Sequence, residues 1–404
     1  MTYCIDSLLT QDLYKYSMGQ FAKHRLPTCK VRVEFVCRSG QLLGYLKDEI
    51  DKELDHLCSL RYTKDEIDYL KTIDWLSEEF VNDLTGFQLR RDYIKTSIDN
   101  DGQLHITVEG PWCDVIWFEV PTLAIVQEIY VNDQLDRNFE SSQMLANYYN
   151  DRMERLNSKI EFFRHLSTDP DAYKLSEFGL RRRISSEWED TVVHVLRDEL
   201  GDNFAGTSNV FLANRYGVKP SGTMAHELYM ALQGYYPLHL VQKEAWKQWM
   251  DEYRGKNGIL LSDIFGFDAC LKDCDWFVAN SFQGFRHDSG DPIVWGEKLI
   301  KFYESVGIDP KTKVFCWSDT LNAVTIEKIF KQFAGRVKIA FGVGTWLTAD
   351  SMIEPLSIVM KLTHSNGQPV IKLPDGKGKI MCPDPELERY AKHVFHREAS
   401  CIMS

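Results

Sequence analysis

The strongest constraint on the fold is a repeated alternation of short apolar segments with helical segments, beginning near Tyr173. The predicted strands cover residues 204–208, 218–221, 258–263, 285–288, 314–317 and 337–341. Strands that alternate with helices form a parallel sheet. A series of this length favours closure of the sheet into a barrel over an open doubly wound sheet. The sequence therefore predicts an α/β barrel with an irregular closure.

Polar residues stand where these predicted strands lead into the following helices. They are Ser208, His226, Asp263, Asp288, Asp319 and the segment 342–345. In an α/β barrel the carboxyl ends of the strands meet at one face, and the loops there carry the functional groups. We therefore expect these residues to surround one site.

The first part of the chain has a different pattern. Residues 31–36, 87–90 and 104–108 alternate apolar and polar residues as half-exposed strands do, with a turn at 99–102. Residues 358–362 and 370–373 alternate in the same way near the other end of the chain. We predict an N-terminal α+β domain over 1–113, joined by 355–404, and a barrel domain over 114–354. One long helix is predicted over 134–166.

Composition limits the class of protein. The chain has 404 residues, of which 44% are hydrophobic and 26% are charged, as in globular proteins with a sizeable core. A net charge of -12 argues against general nucleic-acid binding, although it allows a local basic pocket for a phosphorylated small molecule. The N-terminus has no signal-peptide pattern and no segment has the apolar length of a membrane span, so we predict a cytosolic protein.

The ten cysteines contain no CxxC pair and are predicted to be reduced thiols. The last four residues, which begin at Cys401, fit a prenylation pattern. No polybasic run precedes them, and we do not expect lipidation.

A Ser-Gly-Thr-Met-Ala-His-Glu motif at 221–227 is predicted to be a glycine turn that enters a helix. Thr223 is predicted as the N-cap, which places His226 at the third helical position. The unpaired N–H groups there disfavour an imidazolium and would stabilise a negative group on the ring. His226 is therefore a candidate phosphate acceptor, and the alternative is an ordinary first-turn histidine.

Two further segments have the chemistry of a sugar-phosphate site. The Phe-Gly-Val-Gly-Thr loop at 341–345 can hold a phosphate on its backbone N–H groups, or it is only a tight turn. In the segment 286–292, Arg286 suits phosphate oxygens and the carboxylates suit ribose hydroxyls or Mg²⁺, or the segment is a charged Asx turn. Asp319 either holds a ribose hydroxyl or caps the next helix.

A Glu-Phe-Gly-Leu-Arg-Arg-Arg segment at 177–183 indicates a pocket for an anion, with Phe178 as a flat face for a planar ring. The alternative is a solvated basic run. Together these segments describe a diphosphorylated sugar, an aromatic anion, Mg²⁺ and a phosphate-accepting histidine.

These motifs, with Thr-Gln-Asp-Leu-Tyr-Lys at 10–15 and Gly-Thr-Ser-Asn-Val at 206–210, together resemble the nicotinate phosphoribosyltransferase family. The resemblance implies an irregular, TIM-like α/β barrel with an α+β domain, the type II phosphoribosyltransferase architecture. It also implies that nicotinate and phosphoribosyl pyrophosphate form nicotinate mononucleotide in NAD biosynthesis. In this family the reaction is coupled to ATP hydrolysis and uses Mg²⁺.

The resemblance also implies roles for individual residues. The catalytic residues are His226, transiently phosphorylated, with Glu227 and Asp288. Tyr14, Phe178, Arg181 and Ser208 bind nicotinate. The residues that bind phosphoribosyl pyrophosphate are Arg286, Asp288, Asp319, Gly342, Gly344 and Thr345, and Asp288 and Asp319 are the expected Mg²⁺ ligands. Gln11 departs from the threonine that often precedes Asp12 in the family.

Three other functions are less consistent with the sequence. Nicotinamide phosphoribosyltransferases carry an aspartate in place of Ser208, and an aspartate would repel the carboxylate of nicotinate. A non-catalytic nucleotide-binding relative is disfavoured by intact His226, Asp288 and Asp319. A quinolinate-type transferase does not need a phosphate-accepting histidine. The expected partners are small molecules, and a monomer and a homodimer, in which Tyr14 reaches a neighbouring subunit, both stay open.

Overall fold

The computed structural model describes residues 3–376 and 378–396, which form two sheets. The strands are β1 (Lys30–Cys37), β2 (Ile94–Ile98), β3 (Leu104–Pro111), β4 (Lys174–Glu177), β5 (Phe204–Thr207), β6 (Ile259–Leu261), β7 (Gly284–His287), β8 (Val314–Trp317), β9 (Lys338–Val343), β10 (Ile358–Ser365) and β11 (Gln368–Pro369).

The helices surround these strands. They are α1 (Leu13–Arg25), α2 (Lys47–Leu57), α3 (Lys64–Leu70), α4 (Glu78–Leu84), α5 (Trp112–Val115), α6 (Glu119–Asn138), α7 (Ser142–Leu166), α8 (Ser186–Leu200), α9 (Val210–Tyr216), α10 (His226–Leu232), α11 (Leu238–Tyr253), α12 (Phe267–Asp273), α13 (Trp276–Ser281), α14 (Pro292–Ser305), α15 (Ala323–Phe333), α16 (Thr345–Thr348) and α17 (Pro385–Val394). Short 3₁₀ turns lie at Gly44–Leu46, Arg91–Tyr93, Ile116–Phe118, Leu180–Arg182, Gly201–Asn203 and Pro310–Thr312.

The parallel sheet confirms the predicted α/β class. Within the described residues it has six strands in the order β5-β4-β9-β8-β7-β6, and each neighbouring pair is parallel. A helix follows each strand, as α14 follows β7 and α15 follows β8. This arrangement sets the carboxyl ends of all six strands at one face.

The barrel closes irregularly between β5 and β6. Residues 218–221, predicted as a strand, make only an isolated bridge, in which Pro220 pairs with Thr207, so that prediction is wrong. Pro220 has no N–H and cannot continue a ladder. The segment still spans the gap, because the Thr223 hydroxyl donates to the Ile259 carbonyl over 2.6 Å.

The second sheet is antiparallel and draws strands from both ends of the chain, in the order β11-β10-β1-β3-β2. The predicted strand at 87–90 is wrong, because the 3₁₀ turn Arg91–Tyr93 intervenes and Ile94–Ile98 pairs with β3 instead. The predicted strand at 370–373 is also wrong, since only Lys372 makes a bridge there, to Met381. The proposed division of the chain into domains at 113 and 355 stays a prediction.

The helix predicted over 134–166 is two helices. Residues 139–141 separate α6 from α7, and the Ser141 hydroxyl accepts the Met144 N–H at the start of α7. As the N-cap of α7, Ser141 has a non-helical backbone, so α6 cannot continue through it into α7.

The core of the barrel is aromatic. The rings of Trp295 and Trp317 lie 5.5 Å apart and each packs against Phe315. Nine cysteines lie within the described residues and all are free thiols, as predicted, whereas the Cys401 motif lies outside those residues. Within residues 3–376 and 378–396, none of the helices combines the length and apolar character needed to cross a lipid bilayer.

Candidate active site

A cavity of about 770 Å³ lies between the carboxyl ends of the parallel strands and the antiparallel sheet. The predicted site residues on its wall are Tyr14, Phe178, Arg181, His226, Glu227, Arg286, Asp288, Asp319, Gly342, Gly344 and Thr345. Val33, Val108 and Met360 close it from the antiparallel sheet. The structure thus brings together residues that are more than 300 positions apart in the chain.

His226 stands at the start of its helix, but not in the way the sequence predicts. Helix α10 begins at His226 with Ala225 as its N-cap, so the prediction that Thr223 caps the helix is wrong. The Thr223 hydroxyl is held by the Ile259 carbonyl across the barrel closure. Helix α10 has seven residues, and charged side chains contact the ring at its start.

Three charged groups surround the imidazole of His226. Nε2 lies 2.7 Å from Asp263 Oδ1, whereas Nδ1 lies 3.3 Å from Lys372 Nζ and 3.7 Å from Asp288 Oδ2. The other oxygen of buried Asp263 accepts the Ser289 hydroxyl over 2.7 Å. An ionised Asp263 that accepts Nε2–H leaves the lone pair on Nδ1, which faces Lys372.

The pKa values agree with this arrangement. Burial, and then the positive charge of Lys372, lower the pKa of His226 below its usual value and favour the neutral ring. Burial alone would raise the pKa of Asp263, but its interactions with His226 and with the positive charge of Lys372 hold that pKa well below its usual range. The pair therefore has the protonation state that a nucleophilic ring requires.

Arg286, Asp288 and Asp319 lie on the phosphate side of the cavity. The buried Nε of Arg286 has no hydrogen-bond partner among the described residues. Asp288 accepts the Ser318 hydroxyl over 3.3 Å and is about a third exposed, and Asp319 lies 2.6 Å from Lys379 Nζ. Arg286 lines the cavity, and a guanidinium there is suited to an anion.

The structure also decides which aspartates are caps. The side chain of Asn322 caps α15, so the alternative of Asp319 as its cap is wrong. Asp291, the other carboxylate of the segment 286–292, caps α14 by accepting two backbone N–H groups. Only Asp288 of that segment offers its carboxylate to the cavity.

The donors fit Mg²⁺ only in part as predicted. His226, Asp263 and Asp288 each offer an atom within 4.8 Å of the others, but Asp263 is already bound by His226 and Ser289. The second predicted ligand, Asp319, is engaged by Lys379. Lys379 and Thr320 contact only Oδ1 of Asp319, so the pair of Asp288 and Asp319 as ligands of Mg²⁺, which commonly takes one or two carboxylates together with substrate phosphates, stays a prediction.

Of the four residues predicted to bind nicotinate, Tyr14, Phe178 and Arg181 line the cavity and Ser208 does not. Tyr14, from the same chain, lies with its ring centroid 5.7 Å from the guanidinium carbon of Arg181, and its buried hydroxyl has no partner among the described residues. Arg181 pairs with Asp12 over 3.3 Å and with Glu119 over 3.6 Å. An aromatic face beside a partly exposed guanidinium is suited to an aromatic carboxylate.

Ser208 does not line the cavity. It is buried, and its hydroxyl donates to Asp12 Oδ1 over 2.6 Å, so it reaches Arg181 only through Asp12. Gln11, the departure from the family pattern, is also buried, and its amide donates to the Trp117 carbonyl.

The glycine loop is defined by its close contact with Phe178. A Cβ on Gly342 would lie 2.3 Å from the Phe178 ring, and a Cβ on Gly344 would lie 2.9 Å from the Phe178 carbonyl oxygen. The absence of side chains on Gly342 and Gly344 therefore lets Phe178 pack against the loop, and Thr345 lines the cavity beside it.

The three adjacent arginines have different environments. Arg181 and Arg182 line the cavity, and Arg182 also donates to the Ile358 carbonyl. Arg183 is buried and pairs with Glu189 over 3.0 Å and Glu128 over 3.4 Å. The expectation of an anion pocket thus applies to two of the three residues.

Several charged residues at the site were not predicted from the sequence. Lys372 and Lys379 reach the cavity from the C-terminal segment, and buried Lys15 binds Glu119 and Glu227. A lysine within the apolar run 370–373 was a usable signal for Lys372. No local signal marks Lys15, because its partners lie more than 100 and 200 residues away.

Two family models match the chain. One is described as the nicotinate phosphoribosyltransferase family and matches residues 173–399, and the other as the N-terminal domain of that family and matches residues 9–127. A nicotinate phosphoribosyltransferase of Xanthomonas campestris pv. campestris is 42% identical over 395 residues, which covers 97% of this chain and 96% of the relative. One from Burkholderia ambifaria is 43% identical over 396 residues, covering 97% of this chain and 96% of the relative.

Two solved structures are similar to nearly the whole chain. A crystal structure of nicotinate phosphoribosyltransferase from Vibrio cholerae superposes with a TM-score of 0.88 at 34% identity and covers 98% of this chain and 94% of that one. The corresponding structure from Porphyromonas gingivalis has a TM-score of 0.87 at 31% identity, covering 97% of this chain and 100% of that one.

Proposed function

The chain belongs to the nicotinate phosphoribosyltransferase family, and from that premise we propose that its cavity couples nucleotide formation to ATP hydrolysis through a phosphohistidine at His226. The reaction of the family joins nicotinate to the ribose phosphate of phosphoribosyl pyrophosphate in NAD biosynthesis. The observation that carries the proposal is the imidazole of His226, with Asp263 at Nε2 and Lys372 at Nδ1.

His226 accepts the phosphoryl group at Nδ1. The Nδ1 lone pair attacks the γ-phosphorus of ATP, the bond to the bridging oxygen breaks, and ADP leaves with the bonding electrons. The ring becomes positively charged, and the carboxylate of Asp263 stabilises that charge over 2.7 Å. Lys372 faces the same nitrogen and offsets the negative charge of the phosphoryl group.

The sugar diphosphate lies between Arg286, Asp288 and the glycine loop. The guanidinium of Arg286 binds phosphate oxygens, and the backbone of Gly342 and Gly344 receives the 5′-phosphate. Mg²⁺, when bound, would be held by Asp288 and would neutralise charge on the pyrophosphate.

Nicotinate stacks between Tyr14 and Phe178 with its carboxylate toward Arg181. Its ring nitrogen gives a lone pair to the anomeric carbon, the bond from that carbon to pyrophosphate breaks, and pyrophosphate leaves with those electrons. Tyr14 reaches this cavity from the same chain as Phe178 and Arg181.

ATP hydrolysis acts on this reaction through differential binding. A phosphohistidine adds negative charge at Nδ1, which lies 3.7 Å from Asp288 Oδ2, and so alters the affinity for pyrophosphate and Mg²⁺. Hydrolysis of the phosphohistidine releases phosphate and restores the neutral ring.

One observation favours nicotinate over nicotinamide. The uncharged Ser208 donates to Asp12, so Asp12 is held by two partners and Arg181 keeps positive charge toward the cavity. An aspartate at 208 would place a second carboxylate against Asp12 and would weaken binding of a substrate carboxylate.

The test measures two properties of the variant His226→Ala, which are its phosphorylation by ATP and its rate of nicotinate mononucleotide formation. We expect no incorporation of label from γ-labelled ATP and no stimulation of nicotinate mononucleotide formation by ATP. The matched control is His239→Ala, which removes an exposed histidine of α11 and leaves both unchanged. Full ATP stimulation of His226→Ala would refute the proposal.

A further inference from the structure

A chain of charges, buried at Asp12 and Lys15 and partly exposed at Arg181, links the pyridine side of the cavity to the helix that begins at His226. We call it the Lys15 cluster, and it consists of Asp12, Arg181, Glu119, Lys15 and Glu227. Lys15 is completely buried, and its Nζ lies 2.5 Å from a carboxylate oxygen of Glu119 and 2.5 Å from one of Glu227. Glu119 and Asp12 in turn pair with Arg181.

The net charge of the Lys15 cluster disfavours the binding of an anion nearby. With every group ionised, three carboxylates face two cations, so the net charge is -1. Removal of Lys15 alone would make it -2. In a largely buried site this charge acts on a nearby ligand with little screening by water.

Glu119 is shared between the two cations. Its Oε2 binds Lys15 and its Oε1 lies 3.6 Å from Arg181 Nη1. Without Lys15, the carboxylate of Glu119 would interact with Arg181 alone and would neutralise its positive charge. Arg181 is the guanidinium beside Tyr14 in the cavity. Lys15 and the indole N–H of Trp112 bind the two oxygens of Glu227, which lies on the cavity wall.

We propose that Lys15 determines specificity for an anionic pyridine, because it neutralises Glu119 and so leaves Arg181 free to bind a substrate carboxylate. This inference rests on the proposed function, in which Arg181 receives the carboxylate of nicotinate. Lys15 does not touch the substrate and acts through Glu119 and Arg181. It is a positioning residue.

A merely structural role for Lys15 makes a different prediction. A distorted pocket binds charged and neutral pyridines equally badly, since both stack on the same rings. A change in charge weakens nicotinate, which is an anion, far more than nicotinamide, which is neutral. The ratio of the two dissociation constants therefore separates the two roles.

The experiment measures dissociation constants of nicotinate and nicotinamide by titration calorimetry on the full chain. For Lys15→Met we expect nicotinate to bind roughly tenfold or more weakly, as for one uncompensated buried charge, and nicotinamide to change by less than about threefold. The double variant Lys15→Met/Glu119→Gln returns the net charge to -1 and removes the carboxylate that would otherwise act on Arg181, so we expect it to recover most of the affinity for nicotinate.

Glu227→Gln alone tests the opposite direction and does not depend on folding of Lys15→Met. It changes the net charge from -1 to 0, so the preference for nicotinate over nicotinamide should rise several-fold. An unchanged or lower preference in Glu227→Gln would overturn the inference, as would equal weakening of both pyridines in Lys15→Met.

Arg181→Gln separates this inference from the proposed function. If Arg181→Gln leaves nicotinate affinity unchanged, the proposed binding mode is wrong and the role of Lys15 falls with it. If Arg181→Gln weakens nicotinate while Lys15→Met affects both pyridines alike, only the role of Lys15 is wrong.

Discussion

Replacement of Asp263 by asparagine should nearly abolish phosphorylation of His226 while leaving the fold intact. Asparagine keeps the shape of the side chain but removes the charge that accepts Nε2–H over 2.7 Å. With its amide N–H toward Nε2, asparagine favours the tautomer that protonates Nδ1, and this blocks the nucleophilic nitrogen.

The magnitude follows from the charge that develops on the ring. A positive imidazole and a carboxylate with charge centres about 4 Å apart attract by about 4 kcal/mol at an effective dielectric constant of about 20. At about 1.4 kcal/mol for each factor of ten, the rate of phosphorylation should fall about a thousandfold. Loss of a hydrogen bond to a charged group should cost about 1.5–3 kcal/mol of stability.

The assay follows transfer of label from γ-labelled ATP to the protein, with nicotinate mononucleotide formation measured in the presence and absence of ATP. We expect the ATP-independent reaction of Asp263→Asn to stay within about tenfold of the original, because Asp263 is buried behind His226. Only the stimulation by ATP should disappear.

Asp291→Asn is the matched control. Asp291 accepts the backbone N–H groups of Ile293 and Val294 at the start of α14, and asparagine is an equally good N-cap. It should leave phosphorylation unchanged. A phosphorylation rate in Asp263→Asn that is within a few-fold of the original would refute the assigned role of the pair.

Three other perturbations have distinct expected outcomes. Lys372→Met removes a positive charge that lowers the pKa of His226, so this pKa should rise. Because only the neutral ring accepts the phosphoryl group, acidification should stop phosphorylation at a higher pH in this variant. The midpoint of the decrease in phosphorylation rate at low pH measures the shift. Gly342→Ala would place a methyl group 2.3 Å from the Phe178 ring, so we expect KM for nicotinate to rise by roughly tenfold and stability to fall by about 1–3 kcal/mol, measured by steady-state kinetics and urea unfolding. Arg183→Met leaves its buried carboxylate partners unpaired, and urea unfolding should show a loss of about 3–5 kcal/mol; an unchanged midpoint would contradict the structural role of this arginine.

The sequence was most informative where structure depends on neighbours along the chain. The spacing of apolar residues predicted the strands β7, β8 and β9 within one or two residues, since this spacing reflects which face of each element is buried. The position of Asp288 and Asp319 just after such strands was enough to bring both to one cavity. The carboxyl ends of parallel strands lie at the same face of the barrel, so residues that directly follow two such strands lie close together.

Predictions that depended on a distant partner were less successful. Thr223 has the chemistry of a cap, but its hydroxyl bonds the Ile259 carbonyl on another strand. Ser208 was expected at the nicotinate, yet it lies behind the wall and bonds Asp12, almost 200 residues earlier. A short polar side chain has several equivalent partners, and the local sequence does not rank them.

By itself the sequence determined the parallel α/β class, the polar residues at the strand ends and the histidine at the helix start, because hydrophobic periodicity and turn chemistry are local properties. Only the tertiary structure decided the state of that histidine, through Asp263 and Lys372 on opposite sides of its ring, and the burial of Lys15 between two carboxylates. Electrostatic interactions depend on distance and burial in space, and neither can be read from separations of 37, 146 or 212 residues along the chain.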